Sequence, residues 1–264
     1  MAKMTRDSVY EVLQEGILRG CLPLGSRISE LGMAKKLAVS RTPVREAFGQ
    51  LVSEGLAEYV PNSGVFLKKP TPQDVLELYD VRIALETYAA MMVGGNPPPQ
   101  LLQTMENACR TYRTIIEKFN GDQSDSLQAE SDQETKENLW RQAVLEAELP
   151  FHLALVRATG NSRMIKLVSN AQMLLRIFDL TFARVHAQTR DLLTATGRFV
   201  EEHEEVLEPL KRHDAAGSAQ AMQKHLIASR NRAVTAFEQT QQDEQIFPTE
   251  ELSWFRQLKK QSDT

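Results

Sequence analysis

Two short β-capable runs, residues 56–60 and 65–69, stand out in a chain whose other patterns are helical. Pro61-Asn62-Ser63-Gly64 separates them and has the composition of a tight turn, so the segment predicts a β-hairpin. Before the hairpin, apolar residues recur at helical spacing in three segments. Three helices followed by a hairpin is the order of a winged helix-turn-helix, which restricts residues 1–70 to a small DNA-binding architecture.

The third helical segment is the most sharply marked of the three. Thr42 is predicted to cap it, and Pro43 suits its first helical position. Arg41 and Arg45 fall outside its apolar stripe, which consists of Val44, Ala47, Phe48, Leu51 and Val52. Such arginines either solvate an exposed helix face or contact DNA, because arginine is the best bidentate donor to guanine.

Beyond Pro70 the strand signals vanish, which predicts an all-α domain of six or seven helices over residues 71–240. The fold class is therefore mainly α, with a winged helix-turn-helix domain followed by a helical bundle. Residues 121–137 contain six acidic residues and few large apolar ones, so we predict a mobile acidic insertion there. Residues 241–264 form a C-terminal tail. Further helices are predicted at about 138–158, 162–186, 196–212 and 215–238, with a loop around residues 187–194.

Charge and cysteine content narrow the class of protein. Residues 1–70 carry ten Lys and Arg against seven Asp and Glu, whereas the rest of the chain carries 21 against 28. A mildly basic head on an acidic body is compatible with a DNA-binding module. Two distant cysteines favour a reducing compartment. The sequence shows no membrane span or signal peptide, so we expect a cytoplasmic protein without a membrane partner.

One carboxylate and three histidines of the helical domain form a candidate metal site. Glu148 and His152 are four residues apart and share a helix face, while His203 and His225 lie in the last two predicted helices. Such a donor set suits a divalent ion such as zinc or nickel. Spacing alone leaves their convergence open, and Pro150 would bend a continuous helix away from the His152 face. The other histidines, His186 and His213, are interpreted as surface residues.

The run Ala38-Val-Ser-Arg-Thr-Pro-Val-Arg-Glu-Ala47, followed by Leu51-Val-Ser-Glu-Gly-Leu56, resembles the GntR family of bacterial transcription regulators. The similarity spans about residues 8–68. It implies that Arg41, Thr42 and Arg45 contact operator bases or phosphates, and that Gly64 lets the hairpin, or wing, approach the minor groove. This sequence carries Asn62 and Ser63 at the wing tip, where basic residues are common in the family.

Glu148-Leu-Pro-Phe-His152, Glu202-His203 and Met222-Gln-Lys-His225-Leu226 resemble the FCD effector domain, the C-terminal domain of the FadR subfamily. The similarity covers about residues 73–240. It implies a metal held by Glu148, His152, His203 and His225, although the position of Glu148 is usually an aspartate in metal-binding members. Arg82 matches the first effector-domain helix; it either neutralises a bound anion or forms an ion pair with Glu86, four residues later.

These features predict a non-enzymatic regulator. We expect a homodimer on a palindromic double-stranded operator, modulated by a small organic acid that binds at open metal positions. Two alternatives stay open at this point. Three histidines and a carboxylate also describe the centre of a metal-dependent hydrolase, and the helical domain could be a scaffold that only dimerises.

Overall fold

The computed structural model describes residues 5–18, 21–121, 144–186 and 189–241. The chain divides into two compact units with a boundary between Thr71 and Pro72. The predicted acidic insertion at 121–137 and the tail at 241–264 lie almost wholly outside the described residues, and both stay predictions. The predicted fold class is confirmed, because helices dominate and the strands form one small sheet.

The first unit contains the predicted three helices and hairpin. Its elements are α1 (Arg6–Leu18), β1 (Arg27–Ile28), α2 (Glu30–Leu37), α3 (Arg41–Ser53), β2 (Ala57–Val60) and β3 (Gly64–Leu67). Strand β3 lies between β1 and β2 in an antiparallel sheet, with Val60 opposite Gly64 at the turn. The sequence does not predict β1, because a strand of two residues has no periodicity and forms only by pairing with β3.

The two motif helices begin differently from one another. Helix α2 begins after Ser29, whose hydroxyl accepts a hydrogen bond from the Gly32 amide at 3.2 Å, as expected for a cap. The predicted cap of α3 is wrong. Ser40 occupies the cap position without a side-chain bond, and Thr42 is the second helical residue. Proline fits anywhere in a first turn, where amides have no intrahelical acceptor, so Pro43 could not fix the start.

Ala38 ends α2 in the left-handed conformation, with φ 56° and ψ 39°. Its amide bonds back to the helix, which holds the residue there, although a Cβ disfavours this region by about 1 kcal/mol or more. Ala38→Gly is therefore expected to stabilise the first unit by about 1 kcal/mol, which would be measured as a higher urea midpoint of that unit's transition. Ala34→Gly, inside the same helix, is the control and should destabilise instead; a lower midpoint for both would contradict the strain argument.

The second unit is helical throughout its described residues. Its elements are α4 (Pro72–Gly94), α5 (Pro99–Gly121), a π-helical turn (Val144–Glu148), α6 (Leu149–Ala158), α7 (Ser162–His186), α8 (Thr189–Lys211) and α9 (Ala215–Gln241). The predicted loop at 187–194 is too long, because α8 already begins at Thr189. Threonine lowers helix propensity only weakly, so this helix continues through residues that suggested a break.

Close packing of α4 against α9 holds the unit together. A Cβ added at Gly94 would lie 2.8 Å from the Ala215 Cα, so only glycine permits the approach. The core between α4, α5, α6, α8 and α9 is built from fully buried side chains that include Met105, Phe151, Leu155 and Met222. Within this apolar core the unit also buries Arg82, Glu86, His152, His203 and His225, and buried charged or titratable groups need partners.

Candidate metal centre and nucleic-acid interface

The exposed start of α3 carries the predicted DNA-contacting side chains. Arg41, Thr42 and Arg45 all face solvent, whereas Val44 and Phe48 anchor the opposite side of the helix in the core. The Arg41 Nη2 atom lies 3.0 Å from a carboxylate oxygen of Glu30 on α2, so this guanidinium is oriented by the neighbouring motif helix. The start of α3 therefore presents two arginines four residues apart. They lie beside backbone amides that have no intrahelical acceptor, and such amides favour binding of an anion.

Gly64 begins β3 at the end of the wing turn and has φ +106°, a conformation that favours glycine. Asn62, two residues earlier in the turn, is also left-handed, with φ 61°. The turn thus forms where the sequence predicted it, and Gly64 presents backbone without a side chain where the turn ends.

The four predicted metal ligands converge inside the second unit. The two Glu148 carboxylate oxygens lie 3.0 Å from His152 Nε2 and 3.3 Å from His203 Nε2. His152 Nε2 is 3.4 Å from His203 Nε2 and 3.3 Å from His225 Nε2. Taken together, one candidate ligand atom from each residue lies within 4.8 Å of every other. The convergence that the spacing left open is thus present in the structure.

Pro150 does not separate Glu148 from His152. The chain forms a π-helical turn at Val144–Glu148, and α6 begins directly after it, so Pro150 falls in the first turn of a new helix. A proline there costs no hydrogen bond, since first-turn amides have no intrahelical acceptor. Pro150 therefore does not bend α6, and the Glu148 and His152 side chains stay on one face.

Two of the three imidazoles are oriented by carboxylates that the sequence analysis did not assign to the site. Glu86 Oε2 accepts from His152 Nδ1 at 2.6 Å, and Glu202 Oε2 accepts from His225 Nδ1 at 2.9 Å. Each bond places the proton on Nδ1 and leaves the Nε2 lone pair directed into the cluster. Arg232 in turn holds Glu202 through two hydrogen bonds of 2.6 and 2.7 Å.

His203 is held in another way. Its Nδ1 atom is buried and has no hydrogen-bond partner among the described residues. Instead the ring stacks on Phe151, with centroids 4.0 Å apart, and Tyr112 packs at 5.5 Å on a tilted plane. Tyr112 also donates its hydroxyl to Glu148 at 2.8 Å, so one aromatic side chain positions both a histidine and the carboxylate.

Burial and neighbouring carboxylates set the charges of the cluster. Burial lowers the pKa of His203 well below its ordinary range and also lowers the pKa of His225. Burial opposes the charged form of His152 as well, but the Glu86 and Glu148 carboxylates outweigh it and raise the pKa. For Glu148, burial is outweighed by the imidazoles, which hold its pKa well below the usual value. The cluster therefore has an anionic carboxylate and two neutral imidazoles.

This donor set is chemically incomplete without a cation. His152 and His225 each direct an accepting Nε2 lone pair toward the Glu148 carboxylate and His203 Nε2 at about hydrogen-bond distance, and a cation or proton is needed to balance these lone pairs. Imidazole nitrogen and carboxylate oxygen are the ligands of zinc and related divalent ions. The residues present thus fit a divalent metal centre.

Arg82 forms the ion pair with Glu86 that the sequence left open, while its role toward a bound anion stays a prediction. Its Nε atom donates to Glu86 at 2.7 Å in a fully buried ion pair. Burial opposes the charge on Glu86, but Arg82 and His152 lower the pKa of that carboxyl to about 2. The Arg82 Nη2 atom has no partner among the described residues, and the side chain lines a cavity of about 60 Å³ that also reaches Glu148. Gln172 lines the same cavity with both amide atoms buried and unpartnered.

The sequence analysis missed the supporting residues Glu86, Glu202 and Tyr112. Glu202 directly precedes His203, but its side chain points to His225 on the next helix, which no spacing rule reveals. Glu86 carried a signal, since it lies four residues after Arg82. Of the remaining histidines, His213 lies on the surface as predicted, whereas the side chain of His186 lies outside the described part of the chain.

Comparison with known protein families assigns both units. Residues 5–67 match the model described as bacterial regulatory proteins, gntR family, and residues 77–228 match the FCD domain. The chain belongs to the GntR family. As a member with an FCD domain, it is a transcriptional regulator of the kind that binds DNA operators.

Several known proteins are similar to this GntR-family chain. A probable D-xylose utilization operon transcriptional repressor from Paenarthrobacter nicotinovorans is 28% identical, over 62% of this chain and 65% of that protein. The gluconate operon transcriptional repressor of Bacillus licheniformis is 24% identical, over 76% of this chain and 74% of that protein. A crystal structure of a GntR regulator from Rhodococcus sp. RHA1 superposes with a TM-score of 0.62 at 22% identity, covering 88% of this chain and 98% of that one, which supports the fold.

Membership of this family excludes one of the alternatives that the sequence left open, the metal-dependent hydrolase. Its members and the relatives of this chain are transcriptional regulators and not enzymes, so the hydrolase hypothesis is set aside.

Among the described residues, no helix is both long and apolar enough to cross a membrane.

Proposed function

We propose that this regulator holds a divalent metal ion through Glu148, His152, His203 and His225, and that a small carboxylate bound beside the ion controls operator binding. The observation that carries the proposal is the convergence of three imidazole Nε2 atoms on one carboxylate. Zinc or nickel fits best, because calcium and magnesium prefer oxygen ligands. Four protein ligands leave one or two positions open when the ion is five- or six-coordinate.

The cavity beside the cluster supports an anionic ligand. Arg82 Nη2 and the Gln172 amide are buried donors without partners in the described residues, and both line the cavity with Glu148. Its volume of about 60 Å³ admits a few water molecules, at about 10–15 Å³ each, or the carboxylate end of a small acid. A carboxylate there would reach the guanidinium and the open metal position together, which satisfies donors that are costly to bury unpaired.

The DNA-binding half of the proposal assigns the operator contacts to Arg41, Thr42, Arg45 and Gly64. Their support is the exposed start of α3 and the backbone at Gly64, which has no side chain and lies where the wing turn ends. One recognition helix reads only a few base pairs, so useful specificity calls for two copies on a palindrome. Exposed apolar side chains on α4, with Tyr88 at 56% and Met92 at 50% exposure, support association with a second copy.

A small acid is expected to stabilise the metal-loaded protein and change its affinity for DNA. At 100 times its dissociation constant a ligand adds about 2.7 kcal/mol to the free energy of unfolding. We would screen lactate, gluconate and citrate by thermal shift, with D-xylose as the uncharged comparison. Each acid that raises the melting temperature is then titrated against an operator selected from random DNA by the protein itself, with fluorescence anisotropy as the measurement.

Gln172→Leu tests the assignment of the cavity. It removes a buried amide without partners, so the free protein should be as stable as wild type or more stable, while the acid-induced shift falls. Gln220→Leu, at an exposed position of α9, is the matched control and should leave the shift unchanged. Acids that raise the melting temperature but leave operator affinity unaltered would contradict the regulatory role, and no shift with any acid would favour a scaffold that only dimerises.

A further inference from the structure

The wing of this protein lacks a basic side chain in its turn, which reads Pro61-Asn62-Ser63-Gly64. The structure brings a cation to the same place from another strand. A Cβ built on Gly64 would lie 3.3 Å from Nε and 3.5 Å from Nη2 of Arg27. The Arg27 guanidinium therefore lies beside the backbone of Gly64, where an added Cβ would crowd it.

Strand pairing fixes this placement. Arg27 lies opposite Phe66 in the β1 and β3 register, and Gly64 is two residues from Phe66, so all three share one face of the sheet. The neighbouring Ile28 is buried and anchors β1 to the core, which leaves Arg27 exposed on the other face. Strand pairing thus fixes the backbone and Cβ of Arg27 beside Gly64, and the guanidinium lies next to the glycine.

No acidic side chain neutralises Arg27 within the described ranges. Glu58 also lies opposite Phe66, but on β2, the strand on the other side of β3. Two strand spacings put the backbones of Arg27 and Glu58 about 9–10 Å apart. By contrast, Arg41 at the start of α3 shares its charge with Glu30. An exposed guanidinium without a counter-ion, next to bare backbone, is suited to a phosphate group, which arginine can bind through two parallel hydrogen bonds.

We infer that Arg27 is the basic contact of the wing and binds an operator phosphate beside Gly64. The inference rests on the proposed docking of α3 and the wing, and adds a residue that the family pattern of the wing turn does not supply. A phosphate contact positions the protein on the duplex and carries no sequence information. Arg27 should therefore contribute equally to binding of operator and of unrelated DNA.

The test is a salt titration of Arg27→Gln on the selected operator and on a random duplex of the same length. Each phosphate contact contributes about 0.9 to the slope of log affinity against log salt concentration, so a dimer should lose about 1.8. Affinity should fall several-fold on both duplexes, with their ratio unchanged. Arg27→Lys keeps a point charge and should retain most of the slope. Arg163→Gln removes the same charge from an exposed position of the second unit and serves as the control.

An unchanged salt slope for Arg27→Gln would overturn the inference, because the side chain would then only be solvated. A loss confined to the operator would also overturn it, since that result indicates a base contact. Arg45→Ala in the same assay separates this failure from failure of the docking proposal. If Arg45→Ala loses operator binding while Arg27→Gln binds as wild type does, α3 docks as proposed and only the assignment of Arg27 is wrong.

Discussion

Replacing His203 and His225 together by alanine is expected to abolish binding of the divalent ion. Structural zinc sites with four ligands bind with about 10–16 kcal/mol, so loss of half the ligands should cost roughly 5–8 kcal/mol, or about four orders of magnitude or more in affinity. Elemental analysis of the purified variant should find well under one-tenth of an ion per chain, against one in the wild type. Wild-type metal content in the double variant would refute the site.

His213→Ala controls for the loss of a histidine. This residue is exposed and makes no contact with the cluster, so its metal content should match the wild type. Circular dichroism identifies a double variant that fails to fold, and His225→Gln then supplies a variant of similar volume.

The same site predicts a pH dependence. A ligating imidazole must be deprotonated, and the pKa of His152 is raised above 6.5 by Glu86 and Glu148. Metal affinity should therefore fall as pH is lowered through that raised pKa, and recover as pH rises again.

Arg45→Ala should cause the second large loss, in operator affinity. A lost base or phosphate contact costs about 1–3 kcal/mol, and a dimer loses one contact at each half-site, so the total is about 2–6 kcal/mol. We expect affinity for the selected operator, measured by anisotropy at fixed salt, to fall by a factor between about 30 and 20,000. Arg45 is preferred to Arg41 because Arg41 also pairs with Glu30, and its removal would leave that carboxylate facing the DNA.

Arg163→Ala is the matched control for Arg45→Ala. It removes one positive charge from the second unit, so a general effect of net charge would appear in both variants. Operator binding by Arg45→Ala as tight as that of the wild type would end the proposed docking of α3. Light scattering is the companion measurement, since a monomer in solution would remove the argument for two half-sites.

Local sequence signals predicted most of the first unit. Hairpin and stripe patterns each involve residues close in sequence, so the turn that ends at Gly64 and the apolar face of α3 are found where local propensity places them. The start of α3 was misplaced by two residues because serine and threonine are both common at the cap position and Pro43 fits several first-turn positions. Strand β1 and the placement of Arg27 depend on pairing with a strand far along the chain, which local patterns do not contain.

The sequence predicted the four candidate metal ligands but not the residues that orient them. Residue type and resemblance identified Glu148, His152, His203 and His225. The partners that orient the imidazoles come from other helices, as with Glu86 on α4, and only packing brings them near. The expected bend at Pro150 assumed one continuous helix. The π-helical turn ends just before α6, so Pro150 lies in the first turn of a new helix, where a proline does not disrupt the hydrogen bonding.

The unequal anchoring of the three imidazoles has a kinetic consequence. His152 and His225 are fixed by charged hydrogen bonds, whereas the ring of His203 stacks on Phe151 and its Nδ1 receives no hydrogen bond from the described part of the chain. Release of an ion proceeds one ligand at a time, and the ligand whose ring turns most easily is the first to detach. Exchange of a bound metal with solvent should therefore begin at His203, so that the residence time of the ion depends on an aromatic contact as well as on the carboxylates that fix the other two imidazoles.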